Sequence, residues 1–318
     1  MKRKEFLQAT SLLPFLYNSN KESLTFKRKF SNIRFGICAD LHQDIIHDAP
    51  VRLKSFINEM NTEGVDFIIQ LGDFCIPYEK NKIIVDIWKQ FNGPKFHVIG
   101  NHDLDGNNTK EELIKFWDAM GIYYSFDIKG YHCIVLDSND PNPSGFSNEQ
   151  LLWLESDLKK TKLPTLVFAH YGLDNDRVTV NAMKVRYILE RANEEAGFRM
   201  VQLVFSGHYH CDYYNCINDI HYIQINSMSY HYMGPRYPAN SYDSSILSSH
   251  PKIREVAPYR DPLWALIEIS EKGKMTMHGK VSQFVGPTPR ERGKSRIDDI
   301  YPGVPFISNR NIKLGVDV

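Results

Sequence analysis

The sequence predicts an α/β fold. Three observations lead there. The chain has 318 residues, 42% hydrophobic and 24% charged, enough for a sizeable core. Short apolar runs of strand length alternate with stretches of helical period. Each of five such runs stops abruptly, and aspartate, asparagine or histidine follows at once. Open α/β sheets gather their ligands beyond the carboxyl ends of the strands, so the third observation bears on function as well as on fold.

The first run, Arg34 to Ala39, ends at Asp40-Leu41-His42. A helix follows over Val51 to Asn61, with Leu53, Phe56, Ile57 and Met60 at helical spacing, and Gly64 closes it. Val65 to Gln70 is the second strand and ends at Gly72-Asp73. A helix over Asn81 to Gln90 carries Ile83, Ile84, Ile87 and Trp88, and Gly93-Pro94 breaks the chain before a third strand, Lys95 to Ile99. Gly100-Asn101-His102-Asp103 stands at its end, with a glycine where the backbone must turn sharply.

Thr109 and Glu112 form a capping box that opens a helix over Lys110 to Met120, ended by Gly121. Tyr123 to Asp127 and Tyr131 to Asp137 read as a hairpin around Lys129-Gly130. Asp140 to Ser147 is a loop, and Ser147 with Gln150 makes a second capping box before the Leu151–Leu158 helix. Thr165 to Ala169 is a strand ending at His170. After a helix near Asn181 to Gly197, Val201 to Phe205 is a strand ending at Gly207-His208-Tyr209-His210. Tyr213 to Ile217 pairs with His221 to Asn226 across Asn218-Asp219. Ser227 to Pro258 has no clear period and reads as a long functional or disordered loop. Leu263 to Ser270 and Lys274 to Lys280 form a last hairpin, and an irregular tail runs from Val285. The expected division is therefore residues 1–30 as a leader or tail, 31–284 as the domain, and 285–318 packed on the same domain.

Lys+Arg and Asp+Glu both number 38, so the formal net charge is zero. That balance lacks the basic footprint of a nucleic-acid binder, and no nucleic-acid partner is expected. The cysteines, Cys38, Cys75, Cys133, Cys211 and Cys216, are odd in number and contain no C-x-x-C pair, so neither a zinc knuckle nor a disulfide framework is indicated. Lys2-Arg3-Lys4 followed by Phe6-Leu7 has the outline of an export signal. It resembles a twin-arginine signal with lysine at the second position, and the expectation is an exported protein, with a cytoplasmic one carrying a basic tail as the alternative. No run of 18 apolar residues occurs, so no spanning helix is expected.

The strand ends together supply Asp40, His42, Asp73, Asn101, His102, Asp103, His170, His208 and His210. A lone histidine after an apolar run is usually a hydrogen-bonded core residue. Five such endings at successive strands point instead to one metal-binding edge. The donors are oxygen and nitrogen without thiolate, a set that suits Mn, Fe, Zn or Co. A catalytic zinc takes about three protein ligands, so this number of donors fits two ions sharing a carboxylate, the pair used for in-line displacement at phosphorus.

The ordered pattern D-x-H, G-D, G-N-H-D, a lone His and G-H-x-H resembles the calcineurin-like metallophosphoesterases. It covers residues 40 to 210, about half the chain. The resemblance implies a four-layer αββα sandwich of two mixed β-sheets flanked by helices. It implies that Asp40, His42 and His210 hold a first metal, that Asn101, His170 and His208 hold a second, and that Asp73 bridges both. His102 would then be the proton donor to the leaving group, with Asp103 holding its ring in one tautomer. The implied reaction is hydrolysis of a small phosphate ester, monoester or diester, by metal-activated hydroxide. A non-catalytic scaffold and a nuclease are the alternatives. Purple acid phosphatases carry a tyrosine three residues after the motif aspartate; here that position is Ile76, so a tyrosinate–iron chromophore is not expected. The aromatic stretch Tyr230-His231-Tyr232-Met233, with Arg236 and Tyr237, is a candidate wall over the site.

Overall fold

The computed structural model describes residues 30–140, 144–175, 179–295 and 301–315. The basic N-terminal stretch read as an export signal lies outside the described residues. Among the described residues no helix is long and apolar enough to cross a membrane.

Two six-stranded sheets form the centre. In the first, β1 (Ile33–Cys38), β2 (Phe67–Gln70) and β3 (Lys95–His97) run parallel. In the second, β4 (Tyr124–Ile128) and β5 (Tyr131–Val135) form the expected hairpin, and β5 continues in parallel with β6 (Thr165–Ala169) and β7 (Val201–Ser206). The antiparallel pair β8 (Tyr213–Ile217) and β9 (Ile220–Gln224) closes that sheet, with β9 parallel to β7. The other edge of the first sheet is built late in the chain, from β12 (Ala265–Ile269), antiparallel to β1, and β13 (Lys274–Gly279), antiparallel to β12.

Strand alternation decides the layers. Phe35 and Ile37 of β1 face the second sheet, where Phe168 and Phe205 meet the Phe35 ring edge-on at 6.0 and 5.8 Å. On the outer face of the first sheet lie α1 (Ala49–Glu63), α2 (Lys82–Trp88) and α3 (Lys110–Trp117), inserting residues such as Phe56, Met60 and Trp88. On the outer face of the second lie α4 (Asn148–Lys160) and α5 (Ala182–Ala196), through Leu154, Val185 and Leu189. This is the expected αββα sandwich of two mixed sheets. Each fully buried large apolar side chain contributes about 1.5–3 kcal/mol, and the inter-sheet layer holds the strand ends beside it in register.

Several local expectations are corrected. Helix α3 stops at Trp117, because Asp118 adopts the left-handed conformation (φ 61°) and sends its N–H back to Ile114; Gly121 is not its terminator. The Thr109–Glu112 capping box is complete, whereas Ser147 caps Gln150 in one direction only. The Gln150 side chain is taken by the backbone of Asp137, at 2.9 and 2.8 Å. The supposed loop from Ser227 to Pro258 contains a small sheet, β10 (Tyr230–Tyr232) with β11 (Val256–Pro258), and a short helix, α6 (Ser244–Ser249). The tail is not wholly irregular, since β14 (Arg310–Lys313) adds an outer strand to β13.

Candidate metal centre

The carboxyl ends of β1, β2, β3, β6 and β7 meet along one edge of the sandwich, where the two sheets face each other. The turns leaving them are laced together. Asp40 N–H donates to Gly72 O at 3.0 Å, His42 N–H to Asp73 O at 2.9 Å, and Gly207 N–H to His170 O at 2.9 Å. His208 N–H reaches both Asp40 oxygens at 3.1 Å.

The backbone there is strained. Asp40, His42, Asp73, His208 and His210 all have positive φ, between 49° and 74°. Each such residue costs about 1–3 kcal/mol and persists only where its surroundings over-determine it. Two glycines allow the turns to nest. A Cβ on Gly100 would lie 2.2 Å from both the N and Oδ1 of Asp73, and one on Gly72, itself at φ +96°, would lie 2.6 Å from the His170 ring.

The side chains converge in two groups that share a residue. Ligand atoms of Asp40, His42, Asp73 and His210 lie within 4.8 Å of one another, and so do those of Asp73, His170 and His208. Oδ2 of Asp73 is 3.4 Å from Nε2 of His42 and 3.4 Å from Nε2 of His170. Its other oxygen is turned away and accepts the His102 N–H at 2.8 Å. Asn101 Oδ1 stands 3.1 Å from His170 Nε2. The structure therefore brings together all seven side chains expected to hold metal.

Three features fit this cluster to cations. Nε2 of His42 and Nε2 of His210 face each other at 3.1 Å. The far side of the His210 ring meets the carbonyl of Tyr230 at 2.8 Å, which turns Nε2 towards the cluster as an acceptor. Nδ1 of His208 is buried and has no hydrogen-bond partner. Buried nitrogens facing one another, or facing nothing, are costly unless something positive lies between them.

The electrostatics agree. Burial pushes the Asp73 carboxyl up, but His170 and His42 outweigh it and hold the group well below the ordinary carboxylate range. Burial lowers His170, yet the Asp73 carboxylate prevails and raises it to about 9. His42 and His208 are pulled well below the usual value, first by burial.

The expected partnership of Asp103 with His102 is not found. Asp103 is buried and its two oxygens accept four backbone N–H groups: Asp73 and Gly100 on one oxygen at 2.9 and 2.8 Å, Phe74 and Cys75 on the other at 2.7 and 3.0 Å. Burial and the Asp73 charge push its carboxyl up, while these donors pull the other way. Asp103 thus ties the β2 turn to the β3 turn. The ring of His102 projects outward, and its Nδ1 meets Asp105 Oδ2 at 2.9 Å. Asp105 was not singled out in the sequence; its one signal is the three-residue spacing from His102.

The aromatic stretch is also split. Tyr230 is buried beneath the centre, its ring 5.0 Å from His42 and 4.7 Å from His210, whereas Tyr232 is 53% exposed. A cavity of 420 Å³ opens beside the cluster, with Tyr209, Tyr232, His102 and Lys252 among its walls.

Comparison with known proteins accords with this geometry. The sequence profile of the calcineurin-like phosphoesterases matches residues 33–212. The chain belongs to that family. A Fibrobacter succinogenes protein named probable cyclic nucleotide phosphodiesterase is 25% identical over 57% of this chain and 73% of its own length. An Arabidopsis thaliana manganese-dependent ADP-ribose/CDP-alcohol diphosphatase is 33% identical over 36% of this chain, and the chain spans less than half, 45%, of that relative. A dimetal phosphatase from Danio rerio superposes with a TM-score of 0.59 over 80% of this chain and 99% of its own, at 15% identity, a likeness of fold. Membership makes the chain a phosphoric ester hydrolase of a family that uses divalent metals.

Proposed function

We propose that the protein hydrolyses small phosphate esters at a dinuclear metal site, with Asp40, His42, Asp73 and His210 holding one ion and Asp73, Asn101, His170 and His208 the other. The observation that carries this reading is the single Asp73 oxygen lying 3.4 Å from an imidazole of each group. The oxygen and nitrogen donor set suits Mn, Fe or Zn. When bound, such ions supply Lewis acidity to phosphoryl oxygens and bring the pKa of water towards neutrality.

The remaining work falls to the chain. The His102 side chain, 47% exposed, stands over the cluster with its ring 5.3 Å from that of His42. It can pass a proton to the leaving oxygen, and Asp105 orients its ring. Asp103 is a positioning residue that fixes the Asp73 and Gly100 backbones. Tyr232 lines the cavity where a leaving group would sit. The zero net charge supports a small substrate over a polyanion. Export of the protein is kept as a proposal on the basic start of the chain, and cell fractionation tests it: full-length protein confined to the cytosol would end it.

The central test pairs two variants. Asp73→Ala is expected to lose bound metal and turnover together. His102→Ala is expected to keep the metal and lose turnover on esters with poor leaving groups, and full speed on such esters would refute the acid role.

A further inference from the structure

We infer that Lys252 makes the site selective for phosphate groups bearing two negative charges, monoesters and terminal phosphates, over diesters. The inference rests on the hydrolase reading above and names the substrate class of that same site.

Lys252 sits in a single 3-10 turn, Pro251–Glu255, between α6 and β11. The turn is anchored: Ile253 beside it is buried and its N–H donates to His250 O at 3.0 Å. Lys252 borders both cavities that flank the cluster, the larger one with His208 and Tyr232 and a smaller one with Asp73 and His102. Both cavities also have His42, Asp73 and His102 in their walls, so the exposed Lys252 shares each opening with the cluster.

The charges around it are already committed. Asp44 is paired with Lys80 at 3.1 Å and bonded to the Asn81 amide, and Asp105 is paired with His102. Asp103 is saturated by backbone donors. The other lysine of the larger cavity, Lys294, donates to Tyr232 O at 2.6 Å. Among the described residues Lys252 has no ion-pair partner. Glu255, on the same turn, borders the larger cavity and is the carboxylate Lys252 must outweigh.

A monoester at neutral pH carries close to two negative charges, its second pKa being about 6, and a diester carries one. Both can present oxygens to cations held by the Asp and His cluster. They differ in the outward-facing oxygen, which is charged in the monoester and esterified in the diester. Lys252 is the uncommitted cation on that outward side, so its attraction falls on the charge that distinguishes the two.

The test uses the full-length, metal-loaded protein with para-nitrophenyl phosphate and a bis-para-nitrophenyl diester, and inorganic phosphate as a binding probe. Lys252→Ala should lower kcat/KM for the monoester about tenfold, the value of one hydrogen bond between charged groups. The diester should change less than about twofold. Lys252→Arg should restore the monoester rate, and Glu255→Gln should shift the ratio further towards it. Affinity for inorganic phosphate, measured by calorimetry, should fall about tenfold in Lys252→Ala. Equal losses on both esters, or unchanged phosphate affinity, would overturn the inference. Wild-type protein that turns over neither ester would instead sink the hydrolase reading, while the phosphate titration still reports on Lys252.

Discussion

Asp103 and Asp105 are two residues apart, and the structure gives them opposite fates, so their amide variants should separate cleanly. In Asp103→Asn the new NH2 must face one of two pairs of backbone N–H groups, Asp73 with Gly100 or Phe74 with Cys75. Two buried donors then point at a donor. Each unsatisfied group costs about 1–3 kcal/mol, so the variant should lose about 2–6 kcal/mol. At about 2–4 °C per kcal/mol for a large domain, Tm should fall by at least about 4 °C. Metal should be lost in step, because the same N–H groups aim Asp73. In Asp105→Asn the outcome differs. The pair with His102 is half exposed, 47% and 49% at the two side chains, so solvent screens it. It is worth about 0.5–1 kcal/mol, which corresponds to about a two- to fivefold fall in kcat on a poor leaving group. Tm and metal content should stay at wild-type values. Thermal unfolding, metal analysis and steady-state kinetics on both variants decide the matter. A stable, metal-replete Asp103→Asn with impaired turnover, beside an unimpaired Asp105→Asn, would refute the reasoning and restore the reading from adjacency.

Gly100→Ala should abolish metal binding, since its Cβ would fall more than an ångström inside contact distance of Asp73; displacements of about 1 Å at a reacting centre cost on the order of a hundredfold in rate. A metal-replete, active Gly100→Ala protein would contradict that placement. In metal-free protein the His170 pKa is raised from 6.5 to about 9, so the stability it contributes is fully present below about pH 6.5 and is lost as pH rises through about 9. Metal must displace the same proton, so calorimetry in buffers of different ionisation enthalpy should show about one proton released per protein near pH 7, and apparent metal affinity rising with pH up to about 9. Tyr230→Ala should cost about 3–5 kcal/mol as a fully buried aromatic, whereas Tyr232→Ala should leave Tm unchanged and weaken KM for aryl esters relative to alkyl ones. Equal KM shifts for both ester types would remove Tyr232 from the leaving-group wall.

Much of this was legible in the sequence, for a physical reason. A strand that stops at Asp40, Asp73, Asn101, His170 or His208 announces both a sheet edge and a donor side chain, and parallel strands put such edges on one side. What the sequence did not reveal is direction within a turn. His102 to Leu104 form one 3-10 turn, in which residues three apart eclipse one another. His102 therefore stacks on Asp105, and Asp103 between them points inward. The strands β10, β11 and β14 also escaped notice. The first two have three residues each, too few for a period of two to show. The last has one apolar residue, Ile312, because it lies at a sheet edge.

The five blocks read as a set because none can be built alone. The N–H of Asp73 is held by Asp103, its C=O by the His42 backbone, and one carboxylate oxygen by His102 N–H. That leaves a single oxygen free, and it is the one aimed at His42 and His170. Asp40 is committed in the same way: its N–H goes to Gly72, its C=O receives the Ser227 hydroxyl, and its carboxylate receives His208 N–H. These bonds hold Asp40, His42, Asp73 and His208 in left-handed backbone that would otherwise relax. Loosening one turn therefore releases strain in its neighbours. A change such as Gly100→Ala should disorder the Asp and His side chains at the ends of β1 and β6 as well as those at β3, and a loss confined to β3 would mean that the turns are stiffer singly than their shared hydrogen bonds imply.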